Sequence, residues 1–570
     1  MKRVCSPLFL ALLCAPLVAC GAGKTLGADN ELTDDSGGSD WEVGGDGDNS
    51  EGGPTLNGLE LDPPNAVVTI DTTTSPPTKA IVNYKARLDG VKDVTGSASF
   101  TIDDPTLGSF AGATFTSVDT LPGGKMGVTT IVRAEAEGKS GAANLTIIQL
   151  RKSGDKKDFF FSVPYMGPPD PEKDVLKFGT NIKQVDVAFN MDTTGSMSGS
   201  VTNLRTNLSS TIFPKLAAAI PSVGLAVVDH KDYPVCSHGG STDFPVKVYQ
   251  VVTTDLKAAQ AATTGYSASG GADGPESQVP SMWHILTGGA LNWSGGSLPL
   301  HKPKALTFGG VDFRPGSLPV VVLITDVSWH DISNSVDYDG PYCGSVTAPP
   351  SIADLKKEFI KNNARFVDIT SGPETQANDL SDATKSNIPP GAFGAACGAG
   401  QCPTGTSGAC RAATGPSGSC RLNFLHSGGS GVSDSIVKAI QAISVGSQFD
   451  VTAVPSNDPS NAMGDDGTVV DATRFIKALR AMEEGAPANG CPPQAAKDTG
   501  TDGVKDTFIA VKVGTPVCFE VLPQMNTIVK PKASAQFFNA FIDVLGMPGS
   551  VKLDRRTVLF LVPPREITAK

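Results

Sequence analysis

Two apolar segments of the chain each end in an aspartate, and oxygen-bearing side chains follow the first of them. Asp192 and Asp326 come directly after continuous apolar runs, and Thr194 and Ser196 continue the first loop. A carboxylate at the end of a buried strand is costly unless a cation or hydrogen bonds compensate it. Hydroxyl and carboxylate oxygens are hard ligands, which suit Mg²⁺ or Ca²⁺ better than zinc or copper. The pattern therefore indicates a site for a hard divalent cation.

The elements that must position these residues alternate between strand and helix across residues 184–446. Such alternation, with continuously apolar strands, predicts a mostly parallel sheet covered on both faces by helices. Ligands of open parallel sheets bind beyond the carboxyl ends of the strands, so Asp192 and Asp326 are expected at one edge. The patterns also predict helices near 351–362 and 432–443, and Pro214 is expected to kink the helix that follows Asp192.

At these residues the chain resembles the von Willebrand factor type A family. Asp192–Ser196 (DTTGS) matches the family's D-x-[ST]-x-S metal-ion-dependent adhesion motif, and Asp326 matches its second acidic strand end. Gly271–Glu276 (GADGPE) resembles the D-x-P-E loop of the integrin β branch, in which the glutamate reaches the metal. The resemblance implies a Rossmann-like α/β domain with one Mg²⁺, or alternatively Mn²⁺ or Ca²⁺, held by Asp192, Thr194, Ser196, Glu276 and Asp326.

The same residues also have simpler interpretations. Thr194 and Ser196 could cap the following helix, Glu276 could be a solvated loop acid, and Asp326 could be a turn residue. The acids of the second integrin β metal site do not follow Ser198, and the Asn of the third site corresponds to Gly271, so the resemblance implies one metal rather than three. A second acidic loop contains Asp498, Asp502 and Asp506; it departs from the EF-hand pattern and is expected to be a polar turn, with calcium binding as the alternative.

The first twenty residues carry the features of an export signal. A short basic start precedes an apolar run that is too short to span a membrane, which is typical of a signal peptide. Leu17–Gly21 (LVACG) resembles the bacterial lipobox, so residues 1–19 are predicted to be removed and Cys20 to carry lipid. Residues 20–54 are rich in Gly, Asp, Ser and Asn and are expected to form an acidic tether.

Eight cysteines remain after Cys5, Cys14 and Cys20, and an even number in an exported protein favours disulfides over a zinc site. Four of the eight lie in a Cys-rich insert at 397–420 and can pair locally, and two others fall together in the last domain. By elimination we expect the remaining two to pair and to tether loops at the rim of the metal site. The candidates are Cys236, Cys343, Cys397, Cys402, Cys410, Cys420, Cys491 and Cys518.

Two further regions show strand patterns. Residues 55–150 contain short alternating runs separated by turn residues, as in an antiparallel β-sandwich, and resemble a bacterial Ig-like domain. Residues 447–570 also read as β-rich, with an inserted amphipathic helix at 533–545. The chain is therefore expected to be multidomain: an N-terminal Ig-like sandwich, a central α/β domain at 184–446, and a C-terminal β-rich domain.

Composition and motifs limit the function. The chain has 46 Lys+Arg and 58 Asp+Glu, a net charge of −12, which makes it a poor nucleic-acid binder. It lacks the G-x-S-x-G, P-loop and H-E-x-x-H motifs, so we expect no enzyme. We expect a lipid-anchored protein of the bacterial envelope, at the outer membrane, that binds an acidic group of a protein or glycan through its cation. The alternatives are an envelope structural protein with a vestigial site and an exported hydrolase.

Overall fold

The computed structural model describes residues 58–125, 127–150, 152–153, 156–157, 159–331 and 344–565. The predicted signal peptide at 1–19, the predicted lipidation site Cys20, the predicted tether at 20–54 and Cys343 lie outside these residues. None of the helices in the described ranges is long and apolar enough to cross a membrane. The described chain is rich in β structure and is organised in several separate sheets.

The first region, the N-terminal sandwich, covers Leu59 to Leu150. It contains a sheet of four strands and two sheets of three strands around a core that includes Tyr84, Phe115 and Leu145. One strand pair is parallel, β10 with β2, which corrects the expectation of a wholly antiparallel sandwich. The strands are β1 (Leu59–Asp62), β2 (Asn65–Asp71), β3 (Ile81–Asn83), β4 (Lys85–Leu88), β5 (Lys92–Asp93), β6 (Ser99–Ile102), β7 (Gly108–Ala111), β8 (Thr114–Ser117), β9 (Gly127–Ala136) and β10 (Lys139–Leu150).

Four short strands lead from this sandwich into the rest of the chain. They are β11 (Lys152–Ser153), β12 (Lys156–Lys157), β13 (Phe159–Ser162) and β14 (Asp174–Phe178). β11 and β12 pair with each other, whereas β13 and β14 pair with strands from the far end of the chain.

The central α/β domain contains a six-stranded sheet with the order β17-β16-β15-β20-β22-β27. All neighbouring strands are parallel except β16 and β17, as the apolar runs predict. Its elements are β15 (Gln184–Asp192), α1 (Ser198–Asn207), α2 (Phe213–Ala219), β16 (Ser222–His230), β17 (Lys247–Thr253), α3 (Leu256–Ala262), α4 (Gln278–Thr287), β18 (Leu291–Trp293), β19 (Gly296–Leu298), β20 (Leu318–Thr325), β21 (Val346–Thr347), α5 (Ile352–Lys361), β22 (Arg365–Thr370), α6 (Thr375–Ala383), β23 (Asn387–Ile388), β24 (Gln401–Cys402), β25 (Arg411–Ala412), β26 (Cys420–Arg421), β27 (Asn423–Leu425) and α7 (Val432–Gly446).

Successive residues of the central strands face two different helix layers, because side chains alternate along a strand. Phe189 and Val322 belong to a core that includes residues of α1, α2 and α7. Val321 belongs to the opposite core with residues of α4 and α5. The helix after Asp192 is interrupted as expected: α1 passes through a π-helical segment at 208–212, and α2 begins with Pro214 in its first turn.

The last region, the C-terminal sandwich, contains strands that come before and after the α/β domain in the sequence. Its sheets have the orders β13-β34-β33-β28-β31-β30 and β14-β32-β29. The chain therefore enters this sandwich in β13 and β14, forms the α/β domain, and returns in β28. The remaining strands are β28 (Gln448–Asn457), β29 (Ile476–Ala481), β30 (Ala496–Lys497), β31 (Thr507–Lys512), β32 (Val517–Pro523), β33 (Gln536–Met547) and β34 (Val551–Val562).

The helix expected at 533–545 is wrong, because this segment is strand β33. Phe538, Ala540, Ile542 and Val544 are all buried, and this spacing of two residues is the period of a strand. β33 pairs along its length with β34 and β28, so it is a central strand of its sheet.

Three disulfides lie in the described residues: Cys397–Cys410, Cys402–Cys420 and Cys491–Cys518. The first two close the insert at 397–420, and the third lies in the C-terminal sandwich. Cys236 is also disulfide-bonded. Because Cys343 is outside the described residues, the pairing of Cys236 with Cys343 stays a prediction. Stable disulfides are typical of exported proteins.

Candidate metal-ion site

Asp192 lies at the carboxyl end of β15 and is fully buried. Its Oδ1 accepts the backbone N–H of Thr194 at 2.9 Å and the Thr194 hydroxyl at 2.7 Å. Its Oδ2 accepts the hydroxyl of Thr325 at 2.8 Å. Burial raises the pKa of Asp192, although these hydrogen bonds and the charge of Lys231 oppose the shift. The carboxylate is thus held in one orientation at the edge of the sheet.

Ser196 and Asp326 form the solvent-facing side of the site. The Ser196 hydroxyl donates to Asp326 Oδ1 at 3.1 Å, which joins the loops that follow β15 and β20. Ser196 is exposed and Asp326 is partly buried. Burial raises the pKa of Asp326, the Ser196 hydrogen bond lowers it, and the Asp192 carboxylate raises it further. Asp326 is therefore more than a turn residue, because its carboxylate contacts a loop far away in the sequence.

The structure does not support the interpretation of Thr194 as a helix cap. Thr194 is the N-cap residue of the short turn Gly195–Met197, but its side chain makes no capping hydrogen bond. Its hydroxyl donates to Asp192 instead. Met197 precedes α1, and no side chain caps that helix either. The hydroxyls of Thr194 and Ser196 therefore donate to the carboxylates at the ends of the strands and do not cap the helix.

Glu276 is not a solvated loop acid, because it is only 3% exposed. Its backbone N–H donates to the carbonyl of Ser328 at 3.2 Å, and its carbonyl accepts the N–H of His330 at 3.0 Å. This short parallel pairing attaches the loop before α4 to the loop that follows Asp326. Among the described residues, Glu276 Oε2 has no hydrogen-bond partner. Burial, followed by the charges of Asp192 and other nearby carboxylates, raises the pKa of Glu276 to about 10.

A glycine brings Glu276 close to the first loop. Gly271 has a φ of +77°, and a Cβ there would lie 2.9 Å from Glu276 Oε1 and 3.2 Å from Thr194 Cβ. The N–H of Gly195 donates to the carbonyl of Gly270 at 3.2 Å. Together with the contacts of Asp192 and Asp326, these approaches bring all five predicted ligand residues to one edge of the sheet.

Lys231 is a functional residue that the sequence did not reveal. It follows β16, is 5% exposed, and donates from its ammonium to the carbonyls of Thr193, Ser267 and Ser269. Burial lowers the pKa of Lys231, and the surrounding acids oppose this shift. The ammonium ties the loop of Asp192 to the loop that leads to Glu276. A lysine just after a strand looks like an ordinary surface residue in the sequence, so no local signal could have identified it.

Asp243, Thr325 and His426 complete the surroundings and were also missed. Asp243 Oδ2 accepts the N–H of Gly271 at 2.8 Å and so positions the glycine that lies against Glu276. His426 follows β27; burial lowers its pKa, and the nearby Asp326 carboxylate opposes that shift. Thr325 directly precedes the predicted ligand Asp326, and this position was the sequence signal that could have identified it.

The residues present fit a divalent cation. Asp192, Glu276 and Asp326 place three acids in a partly buried space, and Lys231 supplies one positive charge against them. Buried like charges raise one another's pKa values, as they do at Glu276 and Asp326. A divalent cation would offset this charge and would satisfy Glu276 Oε2. The donors are carboxylate and hydroxyl oxygens, which Mg²⁺ and Ca²⁺ prefer.

The second acidic loop forms hydrogen bonds within itself. Asp498 accepts the N–H groups of Thr501 and Gly503, and Asp506 accepts the N–H and hydroxyl of Thr499. These contacts are those of a polar turn.

No protein-family model matches the chain. No curated protein matches it. Among solved structures, the chain is similar to a von Willebrand factor type A protein from Catenulispora acidiphila, with 11% identity, a TM-score of 0.26, and coverage of 81% of this chain and 73% of that one. It is also similar to the pilus adhesin SpaC from Lactobacillus rhamnosus GG in its open conformation, with 11% identity, a TM-score of 0.26, and coverage of 82% and 55%.

Another form of SpaC matches with 10% identity, a TM-score of 0.28, and coverage of 73% of this chain and 49% of that one. The chain thus spans about half the length of these adhesin structures. TM-scores below 0.5 do not establish a shared fold. We therefore draw no functional inference from these solved structures.

Proposed function

We propose that the α/β domain binds an acidic group of a protein or glycan through a divalent cation held by Asp192, Thr194, Ser196, Glu276 and Asp326. The observation that carries this proposal is the buried Glu276 carboxyl, whose Oε2 has no hydrogen-bond partner among the described residues. An unpaired buried acid is costly, and a bound cation would remove that cost. Mg²⁺ or Mn²⁺ is the proposed ion, with Ca²⁺ as the alternative, because all three accept carboxylate and hydroxyl oxygens.

The exposure of the ligands suggests the direction from which a partner approaches. Asp192, Thr194 and Glu276 are buried, whereas Ser196 is exposed and Asp326 is partly buried. A partner carboxylate would therefore reach the ion beside Ser196 and Asp326. The bound ion would supply the positive charge that attracts it in a partly dry pocket. Asp192 and Lys231 would keep the loops in place while the partner docks.

The resemblance to type A domains supports a binding protein over an enzyme. We found no nucleophile–base pair in the sequence, and the site offers acids, hydroxyls and one structural ammonium. We accordingly propose a non-enzymatic role at the cell envelope. The lipobox-like LVACG motif supports attachment by lipid at Cys20. A Cys20→Ser variant is expected to leave the membrane fraction; retention there after high-salt washing would contradict the lipid anchor.

The test of function separates binding from a vestigial site. Immobilised protein is incubated with envelope extract in Mg²⁺ or in chelator, and captured material is identified. We expect capture in Mg²⁺, loss in chelator, and loss with Asp192→Ala. Asp434→Ala changes a solvent-exposed acid of the same domain and is expected to behave like the wild type. Mg²⁺ binding without chelator-sensitive capture would favour the structural role, and turnover of a captured component would favour the hydrolase.

A further inference from the structure

A second group of metal-ligating side chains lies beside the oxygen site. His238 comes from the loop after β16, Asp273 from the loop before α4, and His330 from the loop after β20. Asp273 Oδ2 lies 3.2 Å from His238 Nδ1 and 3.3 Å from His330 Nε2. One ligand atom from each of the three residues falls within 4.8 Å of the others. Three loops therefore bring two imidazoles and a carboxylate to one point.

The backbone fixes these side chains in place. The carbonyl of His238 accepts the N–H groups of Ala272 and Asp273, at 3.2 and 3.3 Å. Cys236 and Ser237, directly before His238, both have positive φ angles, of 56° and 65°. Two consecutive non-glycine residues in this region carry backbone strain, which persists where the surroundings require it. The bent loop after β16 therefore places His238 beside Asp273.

Burial and charge suit a divalent ion. The side chain of His330 is 3% exposed, and that of Asp273 is 32% exposed, so Asp273 faces an entry path from solvent. Asp232 Oδ2 lies 3.1 Å from His330 Nε2 and is fully buried. With both imidazoles neutral, the carboxylates of Asp232 and Asp273 would balance the charge of one divalent ion.

We propose that His238, Asp273 and His330 bind a first-row transition-metal ion, with Zn²⁺ as the best match, in a site separate from the oxygen site. Imidazole nitrogen suits zinc and its neighbours, whereas Mg²⁺ and Ca²⁺ select oxygen ligands. Zinc–nitrogen and zinc–oxygen bonds of about 2.0–2.2 Å in a tetrahedron place the ligand atoms about 3.3–3.5 Å apart. The separations of Asp273 from His238 and from His330, 3.2 and 3.3 Å, lie at or just below that spacing, and the two histidines lie within 4.8 Å of each other.

The position of the site links it to the oxygen site. Asp273 precedes Glu276 by three residues in the same loop, and the N–H of His330 donates to the Glu276 carbonyl at 3.0 Å. An ion bound by Asp273 and His330 would fix both sides of this loop. Binding of the transition metal itself requires neither Asp192 nor the proposed adhesive function, so the two proposals can fail independently.

The experiment uses the full chain, purified without a histidine tag and freed of metal by chelator. Co²⁺ is titrated while absorption is recorded, because tetrahedral Co²⁺ absorbs far more strongly than octahedral Co²⁺. We expect one equivalent of tetrahedral Co²⁺, displaced by Zn²⁺ and unaffected by excess Mg²⁺. His238→Ala should weaken binding by more than the roughly 10–100-fold that loss of an outer-shell partner costs.

Two comparisons keep the test specific. His301→Ala removes a histidine of the same domain that pairs with Asp312 at 2.8 Å, and its titration should match the wild type. Because His330 is buried, Asp273→Asn serves as the second ligand variant, with circular dichroism to verify folding. Absence of the tetrahedral spectrum in the wild type, or its persistence in folded His238→Ala and Asp273→Asn, would overturn the proposal.

Discussion

Strand β15 contains a buried aspartate near each end, and the two have opposite surroundings. Asp186, near the amino end, accepts the backbone N–H and the Nε–H of Arg314, each at 2.7 Å. The same guanidinium also donates to Ser222 and to the carbonyl of Val185. Asp192, at the carboxyl end, accepts hydrogen bonds from neutral threonine groups and lies near Glu276 and Asp326.

The difference shows how a structural acid can be distinguished from a candidate ligand. The charge of Asp186 is paired within the protein, so its site is complete. The acids around Asp192 outnumber the nearby cations. Burial raises the pKa values of Asp192, Glu276 and Asp326, and neighbouring carboxylates raise those of Glu276 and Asp326 further. Both aspartates are equally buried, so burial alone does not separate the two roles. The two roles differ in the opposite charge available, which Arg314 supplies to Asp186.

The largest expected effect is on stability at the amino end. Asp186→Asn removes the charge that compensates Arg314, and breaking a buried ion pair costs about 3 kcal/mol or more of unfolding free energy. Chemical denaturation of the metal-free protein measures this loss. The Mg²⁺ affinity of the folded variant should equal that of the wild type. A weakened Mg²⁺ affinity would show that the two ends of β15 are coupled.

The next effect is on ion binding at the carboxyl end. Asp192→Asn keeps the side-chain size but removes a charged ligand, and Mg²⁺ affinity should fall by about 100-fold, or about 2.7 kcal/mol. Titration calorimetry measures the affinity. In thermal unfolding, saturating Mg²⁺ should stabilise the wild type and leave this variant nearly unchanged. Equal heats for the two proteins would rule out the assignment.

A third prediction concerns pH. The raised pKa of Glu276 means that the folded, metal-free protein holds a proton which the unfolded chain releases above its ordinary pKa of about 4.5. Stability without metal should therefore fall as pH rises between about 4.5 and 10. The raised pKa values of Asp192 and Asp326 act in the same direction.

Glu276→Gln tests this assignment, because glutamine does not titrate. Thermal unfolding from pH 5 to pH 9 in chelator should show a flatter profile for this variant than for the wild type. Its Mg²⁺ affinity should also fall. An identical pH profile in both proteins would mean that Glu276 does not hold the proton.

The smallest effect is expected at Ser196. Ser196→Ala removes a neutral hydroxyl ligand and its hydrogen bond to Asp326, which is worth about 1 kcal/mol, or somewhat less than tenfold in Mg²⁺ affinity. Calorimetry again measures the change, with Ser198→Ala, at the first residue of α1, as the control. A loss as large as that of Asp192→Asn would indicate that the hydroxyl also orders the loop.

The sequence predicted those features that depend on local pattern. The apolar runs before Asp192 and Asp326 indicated the parallel sheet, and the carboxyl-end rule brought both acids to one edge. Pro214 predicted an irregular helix, and a π-helical segment directly precedes it. The segment 533–545 was misassigned because an amphipathic pattern over a short stretch can be read as either element, and pairing with β28 and β34 decides it as a strand.

Features that depend on distant pairing could not be predicted. β13 and β14 join strands from the other side of the α/β domain, and nothing in residues 159–178 indicates those partners. Lys231 is recognisable only once the loop of Thr193 and the loop of Ser267 and Ser269 meet at its ammonium. His238 and His330 are 92 residues apart in the sequence, in no zinc-binding spacing, and they meet through the fold.

The attachment of the α/β domain to the C-terminal sandwich has a mechanical consequence. Residues 179–183 connect β14 to β15, and Ser447 alone connects α7 to β28, so both ends of the domain are tied by short segments. A pull on a partner held near Ser196 would divide between these two covalent connections. Neither connection is long enough to act as a flexible linker, so tension would pass directly into paired strands. The domain would resist shear because both of its ends are attached to the C-terminal sandwich. It would not rotate about a single connection.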